Sequence, residues 1–104
     1  MANRRRGEIE AVLDGEPRVL VLTLGALAEL EAAFGAGDLS ALAARFAEGR
    51  LAARDAVRII GAGLRAAGAE VSDDAVAAMR AEGGAAGFAK IVAELLAVTF
   101  GGEA

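Results

Sequence analysis

Four hydroxyls (Thr23, Ser40, Ser72 and Thr99) and one lysine, Lys90, are the whole supply of ordinary nucleophile chemistry in this chain. There is no His, Cys, Trp or Tyr. That removes the commonest general base, the thiol nucleophile and most transition-metal ligands together. A serine nucleophile would need Lys90 as its base, and Lys90 is expected on the outer face of the last helix, away from the hydroxyls. The carboxylates offer little more. Asp73 and Asp74 are adjacent, and neighbours on a helix do not face one another, so helix capping explains them better than Mg²⁺ or Ca²⁺. Gly61-Ala62-Gly63 falls in mid-helix, and Gly83-Gly84 lacks the Lys-Ser/Thr of a phosphate loop. The first reads as close helix packing and the second as a helix break. The sequence therefore points away from an enzyme, and no cofactor or metal is expected.

Three features instead suit protein binding. At about 100° per residue, Glu31 projects between Leu24 and Leu27 on the apolar side of its helix. An unpaired carboxylate there is costly, so it meets an internal arginine or a face shared with another protein. Arg54, Arg58 and Arg65 fall in one narrow sector of a helix, either as a solvated face or as a dock for an acidic helix. Leu96 and Phe100 widen the apolar face of the last helix, which fits a helix buried on two sides or a groove for a partner helix. These six residues are the partner-binding candidates.

The elements that must carry them follow from pattern and punctuation. Glu8–Leu13 and Arg18–Thr23 flank Asp14-Gly15 and read as a hairpin, with Pro17 in the turn or at the start of the second strand. Thr23 caps a helix with Leu24, Leu27, Leu30 and Phe34 in one stripe, broken by Gly35 and Gly37. Asp38 opens a short second helix bearing Leu39, Leu42 and Phe46, and Gly49 ends it. A third helix runs from about Ala52 to Ala67 with Ala53, Val57, Ile60 and Leu64 inward, and Gly68 stops it. Ser72-Asp73-Asp74 starts a fourth, carrying Val76 and Met79 to Gly83-Gly84. A fifth spans about Ala86 to Phe100, with Phe88, Ile91, Val92, Leu95, Val98 and Thr99 on one face and Lys90 and Glu94 opposite. The fold class is α+β and predominantly helical: an N-terminal hairpin followed by about five short helices.

Length and composition agree. The 104 residues suit one domain, and apolar residues at 56% against aromatics at 4% imply many alanines, the best helix formers. The expected organisation is a flexible basic N-terminus over 1–6, one compact domain over 7–100 and a frayed C-terminus over 101–104. Arg4, Arg5 and Arg6 make a short basic run, but the net charge of -4 argues against nucleic acid as partner. No apolar run reaches the ~20 residues of a membrane helix. Gly7-Glu8-Ile9-Glu10 is too charged for the core of a signal peptide, so the expected location is the cytoplasm. The absence of cysteine excludes disulfides. A homo-oligomer stays open.

The order of motifs resembles a small family encoded in the tail modules of gene transfer agents and related alphaproteobacterial prophages. A basic start leads to Gly7-Glu8-Ile9-Glu10-Ala11-Val12-Leu13-Asp14-Gly15. Then come Leu22 through Gly35 (LTLGALAELEAAFG, the most specific stretch), Ala53-Arg54-Asp55, Ile60-Gly61-Ala62-Gly63-Leu64-Arg65 and Val71-Ser72-Asp73-Asp74. The family is grouped with phage tail assembly chaperones and sometimes labelled tail tube proteins. The resemblance implies a chaperone that binds the helical tape-measure protein during tail assembly, or a structural subunit retained in the particle tail. It implies no catalytic site. A tube subunit needs long strands to close a ring, and one hairpin fits that less well.

Overall fold

The protein is described by a computed structural model covering residues 2–35, 44 and 52–100. Within these residues a two-stranded antiparallel sheet precedes four α-helices. The strands are β1 (Glu8–Leu13) and β2 (Glu16–Val21). The helices are α1 (Leu24–Phe34), α2 (Ala53–Ala66), α3 (Asp73–Ala77) and α4 (Gly84–Phe100). The architecture is the expected helix-dominated α+β. The short helix expected to start at Asp38 lies outside the described residues.

The hairpin turn is tighter than expected: β2 begins at Glu16, so Asp14 and Gly15 alone connect the strands. Both have positive φ, 55° and 76°, as a type I′ turn requires. Asp14 can take this conformation through its short polar side chain, and Gly15 through the absence of Cβ. The register pairs Leu13 with Glu16, Val12 with Pro17 and Ile9 with Leu20. In a two-residue hairpin the pair that closes the turn exchanges both hydrogen bonds, and the next pair exchanges none. Pro17 occupies that second position. Its missing N–H would have pointed away from β1, so proline costs the ladder nothing.

Alternation then sorts the faces. Ile9, Ala11, Leu13 and Leu20 are buried against the helices, with α2 over β2 and α4 over β1. On the other face Val12 and Pro17 are exposed, while Val19 and Val21 are half-buried beside Glu8 and Glu10. The core joins the inner sheet face to Leu27 and Leu30 of α1, Ile59, Ile60 and Leu64 of α2, Val76 of α3, and Val92 and Leu95 of α4.

Thr23 caps α1 as expected, its Oγ1 accepting from the Ala26 N–H at 3.1 Å. The stripe on α1 needs correction. Leu27 and Leu30 are buried and Phe34 is half-buried, but Leu24 is 78% exposed and Ala26 takes the buried place. The core-facing direction lies between Leu27 and Ala26, and Leu24 is roughly 110° from it at about 100° per residue.

Helix α2 matches its expected bounds within a residue. Ala53, expected inward, is exposed in its first turn. Asp55 supplies half a capping box there, accepting from the Ala52 N–H at 3.2 Å; Ala52 has no acceptor to complete it. Gly63 lies where α2 crosses the sheet and α4. A Cβ at that position would stand 3.0 Å from Leu95 Cδ2 and 3.2 Å from Leu20 Cβ, so close packing accounts for this glycine.

Ser72 caps α3 through the Ala75 N–H at 3.1 Å. This helix ends at Ala77 and does not continue to Gly83 as expected. Long-range bonds to the hairpin redirect the chain. The Asp14 N–H donates to the Arg80 carbonyl at 2.8 Å, and Asp14 Oδ1 accepts from the Arg80 N–H at 2.9 Å. Ala81 then bridges to Leu13 from the side opposite β2. Helix α4 starts at Gly84, two residues before the expected start.

Candidate protein-docking surface

The six partner-binding candidates do not form one site. Arg65 turns inward along its helix. Its Nη2 donates to Glu29 Oε2 of α1 at 2.7 Å, and its Nη1 donates to Asp73 Oδ1 at 3.0 Å and to the Val71 carbonyl at 3.1 Å. One guanidinium thus ties α1, α2 and the start of α3. The Asp73 hydrogen bond is the largest influence raising the Arg65 pKa above its ordinary value; Glu29 adds to it and partial burial opposes it. Gly61 permits this arrangement. It shares the arginine sector of α2 and is buried, and a Cβ there would overlap the Asp73 carboxylate.

Arg54 and Arg58 stay in solvent, one turn apart on the same sector, and make no hydrogen bond or ion pair among the described residues. The expected three-residue stripe is therefore one structural arginine and two arginines without a partner among the described residues. Glu31 is half-buried at the edge of α1. Leu96 is buried within the chain's own core and Phe100 is half-buried against it, so α4 is covered on this flank. Of the hydroxyls, Thr23 and Ser72 cap helices, Thr99 Oγ1 donates to the Leu95 carbonyl at 2.6 Å, and Ser40 lies outside the described residues. No group of three or more carboxylates that could hold a metal ion occurs among the described residues.

At the N-terminal basic run, Arg4–Arg6 form one 3-10 turn capped by Asn3, whose Oδ1 accepts from the Arg5 N–H at 3.0 Å. The Glu8 carboxylate closes the turn by accepting from the Asn3 N–H at 2.8 Å.

A surface that sequence reasoning missed lies on a different face of α2. The first half of α2, the end of α3 and the start of α4 enclose a groove of about 330 Å³. Its floor is Ile60 and Val76, and Val57 and Phe88 stand at its sides. Its rims are alanines: Ala52, Ala53 and Ala56 on one side, Ala77, Ala85 and Ala89 on the other. Small rims keep the floor accessible to large side chains from outside. Arg54 and Arg58 each follow a lining residue in sequence, Ala53 and Val57, but successive residues lie about 100° apart on a helix, so neither arginine lines the groove. The groove joins three helices distant in sequence. The one local signal for it was the run of alanines on helices otherwise built from larger apolar residues.

The lining is apolar, with no converging set of buried polar groups of the kind that orients a small ligand. A shallow apolar channel is suited to apolar side chains presented by another protein.

The model of the family described as "Phage tail tube protein, GTA-gp10" matches residues 6–102. No curated protein and no solved structure matches the chain.

Proposed function

The chain belongs to the phage tail tube protein, GTA-gp10 family, and from that premise we propose that it is a non-enzymatic tail assembly chaperone. In this reading it binds the helical tape-measure protein of a gene transfer agent or prophage while the tail is built. It acts in the cytoplasm of the host cell and needs no cofactor.

The observation that carries this reading is the state of the hairpin edges. A tube ring requires strands that continue from subunit to subunit through open edges. Among the described residues the sheet has two strands. Pro17 removes an outward donor from β2, and Ala81 bridges to β1 on its outer side. Both edges are blunted near the tip, as in proteins that avoid strand addition. The remainder is a helical body with an apolar groove, which suits holding a helix. No helix among the described residues is long and apolar enough to cross a membrane.

A second reading, a structural subunit kept in the particle tail, is favoured by the family's description and by the outer hairpin face. Val12 is 51% exposed there, beside exposed Pro17 and half-buried Val19 and Val21. A neighbouring subunit could cover that strip. Co-expression with the tape-measure protein of the same tail module, read beside mass spectrometry of purified particles, separates the two. Co-purification with absence from particles supports the chaperone. Fixed copies in particles without tape-measure binding support the structural subunit.

A further inference from the structure

We propose that the hairpin turn Asp14-Gly15 is a site of spontaneous backbone modification in the folded protein: the Gly15 nitrogen closes on the Asp14 side chain to form a succinimide, water reopens the ring to isoaspartate, and the bonds between Asp14 and Arg80 restrain the reaction. The residue types come first. The nitrogen that follows an aspartate must reach that aspartate's Cγ, and a side chain on the following residue crowds the approach. Asp14 precedes a glycine, whereas Asp38, Asp55, Asp73 and Asp74 precede Leu39, Ala56, Asp74 and Ala75. Both turn residues are exposed, and beyond its chain neighbours nothing lies within 4 Å of where a Cβ on Gly15 would stand. Water and a rotating peptide plane have room there.

Backbone geometry sets the path. In a type I′ turn ψ at the first central position is about +30°, which holds the next nitrogen roughly 150° from Cβ about the Cα–C bond. In a type II′ turn the same residue keeps φ near about +60° with ψ about −120°, and the nitrogen eclipses Cβ, within reach of Cγ. Asp14 already has φ 55°. Rotation of the Asp14-Gly15 peptide plane therefore converts one turn to the other. It takes Gly15 from φ 76° to a negative φ, which glycine accepts. Both are hairpin turns that match the strand twist, so β1 and β2 keep their register. In the carboxylic acid form of Asp14 a bond forms from the Gly15 nitrogen to Cγ and the Cγ–OH bond breaks. That hydroxyl leaves as water with the Gly15 amide proton. A second water adding to the main-chain carbonyl of the ring breaks its bond to nitrogen. The chain then runs through Cβ and Cγ, one methylene longer, with the α-carboxylate free. Arg80 opposes the first step. Its N–H donates to Asp14 Oδ1 at 2.9 Å, and its carbonyl accepts from the Asp14 N–H at 2.8 Å. Cγ cannot swing towards Gly15 while the carboxylate stays on Arg80.

Prolonged warm incubation of the full chain tests this. Samples are digested with trypsin, and the Gly7–Arg18 peptide, in which Asp14 is the sole aspartate, is followed by chromatography and fragmentation mass spectrometry. Loss of one water marks the succinimide, and a second peak of unchanged mass with isoaspartate fragments marks the product. The incubation is repeated over a series of urea concentrations with the unfolded fraction read by circular dichroism. Folded wild type should accumulate isoaspartate, more slowly than the unfolded chain, at a rate that stays level in urea well below the unfolding midpoint. Arg80→Pro removes the N–H that holds Asp14 Oδ1. Conversion in that variant should be faster by about tenfold, as expected when the rotation no longer breaks a hydrogen bond to a charged group. Conversion that follows the unfolded fraction at every urea concentration overturns the proposal, because the reaction then needs the whole fold to open. An unmodified folded chain beside a converting unfolded one overturns it too, as do equal rates in a folded Arg80→Pro and wild type. Should Arg80→Pro fail to fold, the urea series decides by itself.

Discussion

Replacing Gly63 by alanine sets two effects of known sign against each other. In a helix interior, alanine is more favourable than glycine by about 1 kcal/mol. Gly63, however, is buried where α2 crosses β2 and α4, and the new methyl would lie 3.0 Å from Leu95 Cδ2, 3.2 Å from Leu20 Cβ and 3.3 Å from Leu20 Cδ2. Relaxed carbon contacts lie at about 3.5–4.0 Å. Leu20 and Leu95 are both fully buried, and a Cβ cannot rotate away, so the strand or the helix must shift. Overpacking of this kind costs about 1–3 kcal/mol. The net expectation is a loss of about 1 kcal/mol, or a melting temperature lower by roughly 4–8 °C for a domain of this size. Thermal and urea unfolding followed by circular dichroism would measure it. Gly25→Ala is the control. It lies in the first turn of α1 with Thr23 Oγ1 3.9 Å from the new methyl, and it should gain up to about 0.5 kcal/mol. Truncating Leu95 to alanine should destabilise by about 2–5 kcal/mol by itself, yet make Gly63→Ala less costly in that background, where only the Leu20 contacts remain. A Gly63→Ala protein that melts at or above the wild-type temperature would refute the claim that this crossing is closely packed.

Further outcomes follow from other parts of the fold. Arg65→Met should cost about 1 kcal/mol, because it unties Glu29 and Asp73 in a partly exposed network; no change in urea unfolding would make the network ornamental. Since the Arg65 pKa is raised, its contribution is fully present through acid and neutral pH on the guanidinium side and fades only in strong alkali, so a loss between neutral and mildly alkaline pH would need another group. Leu27→Ala should destabilise by about 2–4 kcal/mol, while Leu24→Ala should stay within about 0.5 kcal/mol; equal effects in thermal melts would contradict the orientation of α1. Pro17→Val should leave stability nearly unchanged but restore an outward N–H on β2, and sedimentation should then detect more self-association; a strictly unchanged sedimentation profile would show that proline does not guard this edge.

The sequence by itself determined the local structure where chain-neighbour rules suffice. Asp14-Gly15 placed the hairpin turn, Thr23 and Ser72 marked two helix starts, and apolar spacing located α1, α2 and α4. Each of these depends on φ preferences, on a cap three residues away, or on side-chain period. The poverty of nucleophiles and bases was equally plain from residue types alone. Tertiary structure decided the rest. The end of α3 depends on Asp14, 66 residues from Arg80 in sequence, because backbone bonds to the hairpin tip replace further helical bonds. The arginine sector divides because Gly61 admits Asp73 over its C-terminal half while the N-terminal half faces solvent. The groove exists because three helices leave their alanines opposite one another, and helical period shows which residues share a face, not which faces meet. Those meetings are set by how the whole chain buries its leucines and isoleucines, a balance to which every element contributes.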